Sequence, residues 1–366
     1  MRTKRTKREK RYPIHRPFFD IKGGSWRDYV PTAPNLPPKT MSKKRPYISA
    51  YYFRAHLYTQ VPHHVREDLR WMADHGSDAV VIGMLEQDLT AAVENIDLIC
   101  HEAEKVGMQV WVTPSRWGNL VAGCPKVPSI HTSLHPETAA RHPDGSTWMG
   151  FLGPYASVHH PAVFDFFADA IAQVVTRWPV AGILWDELKA LDVVDHSPAA
   201  LQSLGDRVQD PDAHLRAQVE FFGRVNAHAI SLRPDLITSA FIFGHCSQRI
   251  LAACAAMDPL HEFGCDGRPW RREDGGMDDN GSGGAPSKFL LDQGKAFIQA
   301  AHGQGKRAYA LIENHALPAK CHDLVRQRLP EVYRMEWDHL TYYYYPRSCG
   351  DPDGAMRVIG ESLISL

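Results

Sequence analysis

Beyond residue 46, short apolar segments alternate with longer segments of helical periodicity, and this alternation occurs eight times. The predicted strands are Tyr47–Phe53, Ala79–Met84, Met108–Thr113, Val180–Trp185, Leu236–Phe243, Leu260–Cys265, Arg307–Ile312 and Leu340–Tyr345. Strands that alternate with helices pair in parallel through right-handed crossovers, and eight such units close into a barrel. We therefore predict an α/β fold, a single (β/α)8 TIM barrel over residues 46–366. A doubly wound open sheet is the alternative, but the first strand–helix turn has no GxGxxG motif.

The segment Val180–Lys189, VAGILWDELK, joins a buried strand to two adjacent acids. Its first six residues are mostly apolar without alternation, which is typical of a parallel strand covered on both faces. The strand ends at Asp186 and Glu187. Because TIM barrels carry their catalytic residues at the carboxyl ends of the strands, we expect the functional site at this end of the barrel.

Charge is distributed unevenly along the chain. Residues 1–45 hold fourteen Lys or Arg and three Asp or Glu, a net charge of +11, which leaves −12 for the rest. We expect 1–45 to be a basic, Pro-rich, partly disordered extension, or a segment upstream of a true start at Met41. The acidic body argues against a nucleic acid partner.

From the sequence we expect neither a secretory signal nor a membrane span, and the cysteines show no CxxC spacing. No apolar stretch follows the basic residues, and no run reaches the length of a membrane span. Seven cysteines without CxxC spacing are typical of reduced thiols. We expect a cytoplasmic protein that does not bind a membrane.

Two predicted loops are unusually long, about Pro114–His160 after the third strand and about Gly267–Lys288 after the sixth. Loops of this length are usually lids or substrate walls, and we expect the second, rich in Gly and Asp, to be flexible. Both follow strands, so both belong to the carboxyl-end face of the barrel.

Carboxylates, aromatic rings, Arg and His follow the predicted strands at this face. Such a ring of residues is typical of a carbohydrate site, because sugar C–H faces stack on aromatic rings and hydroxyl groups bind charged side chains. The predicted substrate-binding residues are Tyr52, Arg54, Glu86, Arg116, Trp117, Trp185, Lys189, His245, Asn314 and Tyr344.

Glycosidic cleavage needs two carboxyl groups with separated pKa values. We predict Asp186 as the nucleophile, since Lys189 is near enough in sequence to keep it ionised. Glu187 competes for this role, because alternation along a strand lets only one of the two acids point fully inward. The candidates for the acid are Asp266 and Glu313.

One part of the chain resembles a known family. LHPETAARHPDGSTW precedes a helix that opens HHPAVFDFFADAIAQVV and leads into VAGILWDE, all within residues 131–190. This order resembles the glycoside-hydrolase-like TIM-barrel family and, more distantly, the α-glucosidase and α-galactosidase clan. The resemblance implies Asp186 as the nucleophile and Asp266 as the acid. Ala181 and Thr138 stand where that pattern has Asp and Trp.

Three functions follow from these observations. The first is a retaining glycoside hydrolase that uses no metal or other cofactor and acts on an oligosaccharide or glycoside. The second is a metal-dependent sugar isomerase or epimerase with Glu187, His245, Asp266 and Glu313 as ligands. The third is a carbohydrate-binding barrel that has lost catalysis, which carboxylates more than about 10 Å apart would favour.

Overall fold

Eight parallel strands close into a barrel in the computed structural model, which describes residues 45–58, 60–123, 125–271 and 289–366. Each strand pairs with its neighbours in the chain, and the first pairs with the last. This confirms the predicted TIM barrel. The strands are β1 (Tyr47–Tyr52), β2 (Ala79–Leu85), β3 (Gln109–Ser115), β4 (Val180–Trp185), β5 (Ile237–Ile242), β6 (Glu262–Gly267), β7 (Arg307–Ile312) and β8 (His339–Tyr343).

A principal helix follows each strand in the described part of the chain, and its apolar face packs against the barrel. These helices are α1 (Pro62–Asp74), α2 (Val93–Lys105), α3 (Pro161–Arg177), α4 (Pro211–Leu232), α5 (Gln248–Ala255), α6 (Leu290–Gly303), α7 (His322–Arg334) and α8 (Pro352–Ile364). Proline at the start of α1, α3, α4 and α8 suits the first helical turn, where its missing N–H has no intrahelical partner. None of the described helices is long and apolar enough to cross a membrane.

Alternation along the strands divides the buried residues into two layers. One large apolar cluster lies between the strands and the helices, and a smaller one fills the barrel interior. The interior cluster is bulky and rich in aromatic rings, with Tyr51, Val81, Trp111, Leu184, Phe241, Tyr309 and Leu311 among its members. The barrel is therefore a packed core, and a ligand can enter only at its ends.

The sixth strand lies two residues further along the chain than predicted. It spans Glu262–Gly267, so Asp266 lies within the sheet, paired with Leu311, instead of beginning a loop. The sequence did not indicate this strand boundary, because the strand begins with a charged residue, Glu262, at a fully buried position. Its carboxylate is held inside the barrel by His339 at 2.8 Å and by Arg307 at 2.9 Å.

The loop after β3 is ordered by short elements of its own, a helix at Ile130–Leu134 and an antiparallel pair, Met149–Gly150 with Gly153–Pro154. The predicted extension at 1–45 lies outside the described residues apart from Arg45, as does the possible start at Met41. Most of the loop predicted after the sixth strand, residues 272–288, lies outside them as well.

Candidate active site

Four carboxylates meet at the carboxyl end of the barrel. Asp186 and Glu187 follow β4, Asp266 is the penultimate residue of β6, and Glu313 follows β7. One oxygen each of Glu187, Asp266 and Glu313 lies within 4.8 Å of the others. We call these four residues the acidic cluster. Strands far apart in sequence thus bring together all four residues predicted to be catalytic.

Three cations face the acidic cluster. Lys189 Nζ lies 2.6 Å from Glu187 Oε2 and 3.7 Å from the centre of the Phe243 ring. Arg268 Nε lies 3.6 Å from Glu313 Oε2, and both side chains are buried. Arg116 acts on Asp186 through its charge.

Within the acidic cluster, burial favours the protonated form of Asp186. Burial raises its pKa from 3.8 to about 7, and the charges of Glu187 and Glu313 act in the same direction. Arg116 and Lys189 lower the pKa but do not outweigh burial. Lys189 thus favours the ionised form of Asp186, as expected, but burial has the larger effect on its pKa. An acid with this pKa suits proton donation better than nucleophilic attack.

The backbone that presents these groups is unusual in conformation. Arg116, Glu187 and Ala190 have φ values of 64°, 32° and 59°, in the left-handed region that side chains other than glycine seldom adopt. Hydrogen bonds between the two loops hold them there: Ala122 N donates to Asp186 O, and Lys189 N donates to Leu120 O. Such strain is frequently retained at functional sites, and it orients Glu187 and Arg116 toward the acidic cluster.

Two tryptophans predicted to contact the ligand are instead parts of the core. Trp185 and Trp117 are fully buried. Trp185 Nε1 donates to Asn226 Oδ1, and Trp117 Nε1 donates to Met84 O. Trp185 precedes the inward-facing Asp186, so alternation turns its ring outward toward the helices. Neither ring faces the mouth of the barrel, contrary to the prediction.

Three other predicted ligand contacts converge on Asp68 of α1. Its carboxylate accepts hydrogen bonds from the Tyr52 and Tyr344 hydroxyls and pairs with Arg54. Tyr52 and Tyr344 belong to the outward-facing set of their strands, since both rings join the layer between barrel and helices. They line the outer wall of a cavity rather than the acidic cluster.

Glu86, Asn314 and His245 also lie apart from the acidic cluster. Glu86 accepts from Gly118 N, Ser129 Oγ and His131 N, which fixes the loop after β3. Asn314 bonds through its amide to both backbone groups of Tyr343. His245 is exposed and does not belong to the carboxylate group.

Several aromatic and charged residues at the mouth were absent from the prediction. Tyr51, Phe53 and Tyr343 form one group of rings, with Tyr51 5.3 Å from each of the other two centres. The Tyr51 hydroxyl donates to Asp186 Oδ2 at 3.5 Å. Arg268, Phe243 and His315 complete the surroundings. Side chains alternate between the two faces of a strand, so counting back from the strand ends would have identified Tyr51 and Tyr343 as facing inward.

Solved glycoside hydrolases share this barrel. The chain is similar to the catalytic domain of beta-amylase from Paenibacillus polymyxa, with 11% identity, a TM-score of 0.57 and coverage of 87% of this chain and 98% of that one. GH5_18 from Streptomyces cattleya, solved in complex with GlcNAc, has 15% identity and a TM-score of 0.55 over 88% and 80%. An endo-1,4-beta-mannanase from Rhizomucor miehei has 12% identity and a TM-score of 0.54 over 89% and 97%.

At these identities the likeness shows a shared fold. No protein-family model matches the chain, and no curated protein matches it in sequence. The resemblance seen in the sequence is thus confirmed as a distant, glycoside-hydrolase-like TIM-barrel fold.

Proposed function

We propose that the protein is a retaining glycoside hydrolase that acts on an oligosaccharide or glycoside without a metal. The observation that carries this proposal is the separation of Glu187 and Glu313, whose nearest oxygens lie within 4.8 Å. Retaining glycosidases place their two carboxyl groups about 5–5.5 Å apart, whereas inverting ones leave roughly 6.5–9.5 Å for a water molecule. A separation above about 10 Å, which would have favoured a barrel without catalysis, is not found for this pair.

Glu313 is the nucleophile in this proposal. It follows β7, three strands from β4 around the barrel, and the Arg268 guanidinium 3.6 Å away stabilises its charged form. The acids after β4 supply the proton. Asp186 and Glu187 are adjacent and interact by charge, and in this proposal they act together as the proton donor, with Glu187 reaching toward Glu313. This revises the prediction that Asp186 attacks.

The reaction proceeds in two displacements. Glu313 Oε attacks the anomeric carbon while the bond to the leaving oxygen breaks and that oxygen takes the proton of the Asp186–Glu187 pair. A glycosyl ester on Glu313 results. Water then attacks the same carbon, the now ionised pair accepts the water proton, and Glu313 leaves as a carboxylate. The pair regains its proton and the sugar keeps its anomeric configuration.

A panel of aryl glycosides that differ in sugar and anomer would identify a substrate and provide the test. Glu313→Gln should reduce turnover by at least a thousandfold. Added azide should restore turnover of this variant, and the product should be a glycosyl azide of inverted configuration. Glu187→Gln should retain much of the rate on an activated nitrophenyl leaving group and lose it on a poor one, since only the poor one needs protonation.

Glu336→Gln is the matched control, because Glu336 is exposed between the end of α7 and the start of β8, at the opposite end of the strands from the acidic cluster, and should leave turnover unchanged. Wild-type turnover by Glu313→Gln on a confirmed substrate would refute the proposal. Inverted product stereochemistry would refute the retaining mechanism.

The second candidate function is a metal-dependent sugar isomerase or epimerase. The same acidic cluster supports it. Three carboxylate oxygens within 4.8 Å offer a hard divalent cation three ligands. Lys189 and Arg268, each close to one of these acids, compete with a metal for them. Metal analysis of the purified protein separates the candidates: a stoichiometric ion lost in Asp266→Asn would favour the isomerase.

A further inference from the structure

A cavity of about 680 Å³ lies between the ends of β1 and β8 and helix α1. This volume is within the range of sites that hold small organic ligands. Its walls are both aromatic and charged, and include Phe53, Arg54, Trp71, Tyr343, Tyr345 and Arg347. None of the residues that form the acidic cluster lines it.

The cavity nevertheless adjoins the acidic cluster. Tyr343, on its inner wall, stacks against Tyr51 with an interplanar angle of 28°, and the Tyr51 hydroxyl reaches Asp186. His315 also lines the cavity, two residues after Glu313, with its ring edge-on to Tyr343 at 5.2 Å. The cavity is thus connected to the acidic cluster through the Tyr343 and Tyr51 rings, on the β8 and β1 side of the barrel.

The outer wall is held rigidly by Asp68. Because Tyr52, Tyr344 and Arg54 all bond to this one carboxylate, four side chains from β1, α1 and the end of β8 are fixed to each other. Arg54 and Arg347 offer donors to the cavity and Glu67 offers acceptors. Charges of both signs suit a ligand with many hydroxyl groups better than one with a strong charge of its own.

Tyr345 presents its ring in a prearranged position. The side chain is 50% exposed, although it is a large aromatic residue. Its φ of 47° is costly for such a residue, and the conformation is held by a hydrogen bond from its hydroxyl to Asp353 Oδ1 at 2.8 Å. An exposed ring fixed at a cavity rim is a surface on which the apolar face of a sugar can stack at little entropic cost.

We propose that this cavity binds a neutral saccharide unit of the substrate outside the cleaved bond, with that unit stacked on Tyr345. The inference rests on the proposed function and deepens it, since it makes a glycan of two or more sugars the preferred substrate. Binding in the cavity is a property of the folded chain and does not require turnover.

Isothermal titration calorimetry on the full chain carrying Glu313→Gln, which prevents cleavage, tests this with glucose, cellotriose, mannotriose and maltotriose. At least one trisaccharide should bind more tightly than glucose. Tyr345→Ala should weaken that trisaccharide by roughly tenfold, the size expected for one lost stacking contact, and leave glucose binding unchanged. Tyr345→Phe, which keeps the ring, should stay within about twofold.

Ile364→Ala is the control for loss of an exposed apolar side chain, since Ile364 is 66% exposed at the carboxyl end of α8 and does not line the cavity. Arg347→Gln is a second variant in case Tyr345→Ala does not fold, and it should weaken the trisaccharide severalfold. Unchanged affinity in both variants, or no trisaccharide binding, overturns the inference. Trisaccharide binding that depends on Tyr345 without any cleavage by the wild type would instead overturn the proposed hydrolase.

Discussion

Lys189 forms its ion pair with Glu187 and not with the preceding residue, Asp186. The ammonium group therefore stabilises the charge of Glu187, while Asp186, buried beside two other acids, has its pKa raised to about 7. Lys189 thus favours the ionised form of Glu187 by direct contact, whereas burial favours the protonated form of Asp186. Such a difference is what divides acid and base roles between carboxyl groups at one site.

The pH dependence of turnover should report the Asp186–Glu187 pair. Because the pair must carry a proton to act as the acid, kcat/KM should fall as pH rises through about 7. Lys189 lowers the pKa of Asp186, so Lys189→Gln should move this alkaline limb to higher pH, by roughly 0.5–1 unit. The measurement is the pH–rate profile on an aryl glycoside. Lys105→Gln, far from the mouth on α2, should leave the profile unchanged, and a shift to lower pH in Lys189→Gln would contradict this account.

The raised pKa of Asp186 also has a cost in stability. Its folded-state pKa of about 7 exceeds its ordinary value of 3.8, so the native state holds this proton more tightly than the unfolded chain does. The stabilisation is present below about pH 4 and is lost as pH rises to about 7. Asp186→Asn cannot ionise and should therefore be more stable than wild type at pH 8, by up to about 4 kcal/mol. Urea unfolding at pH 8 and pH 5 measures this, and an equal gain at both values would show that the charge is not the cause.

The barrel could be predicted because its signal is repeated along the chain. Eight apolar strands alternating with amphipathic helices leave few topologies open, and an error of two residues at one strand does not change the count. The location of the acidic cluster follows from the same regularity. Asp186 and Glu313 were found at strand ends because the carboxyl ends of parallel strands all lie on one face.

The orientation of individual side chains was harder to predict. A strand covered on both faces carries apolar residues throughout, so nothing in the run Tyr342–Tyr345 tells which rings face inward. Tyr343 faces the interior and Tyr344 faces α1, the reverse of the prediction for Tyr344. Contacts between residues far apart in the sequence could not be predicted either. Asp68 is the hydrogen-bond or ion-pair partner of three residues that were predicted to bind the ligand. Nothing in the sequence of α1 around Asp68 indicates this role.

Asp68 should be important for stability as well as for the shape of the cavity. Asp68→Ala leaves the Tyr52 and Tyr344 hydroxyls and the Arg54 guanidinium without their acceptor, which should cost roughly 2–4 kcal/mol. Asp68→Asn keeps one acceptor oxygen and should cost less. Urea denaturation gives both values. Asp74→Ala, on the same helix but exposed, is the control and should change the unfolding free energy by less than about 0.5 kcal/mol. A loss in Asp68→Ala no larger than in the control would show that the three bonds contribute little.

Glu262 and His339 form a fully buried pair in the barrel interior, 2.8 Å apart, with Ser49 Oγ 2.8 Å from the other ring nitrogen. Burial acts to raise the pKa of Glu262, but His339 and Arg307 together outweigh it, and the pKa lies below its ordinary value of 4.5. A lowered pKa means that the pair stabilises the fold above about pH 4.5 and that this contribution is lost as pH falls further.

Glu262→Gln should therefore be less stable than wild type at pH 7, by roughly 3–5 kcal/mol, because a buried charged network loses one partner. The difference should shrink at pH 3, because the unfolded wild-type chain takes up a proton on this carboxyl group below about pH 4.5 and the contribution of the native pair then decreases. Urea unfolding of the two proteins at both pH values checks this, with Glu336→Gln expected to follow the wild type throughout. A deficit in Glu262→Gln that is as large at pH 3 as at pH 7 would mean that the amide disturbs packing and that the ionic contribution is small. In that case packing of the aromatic layers, and not the buried ion pair, would be the main source of stability in the barrel interior.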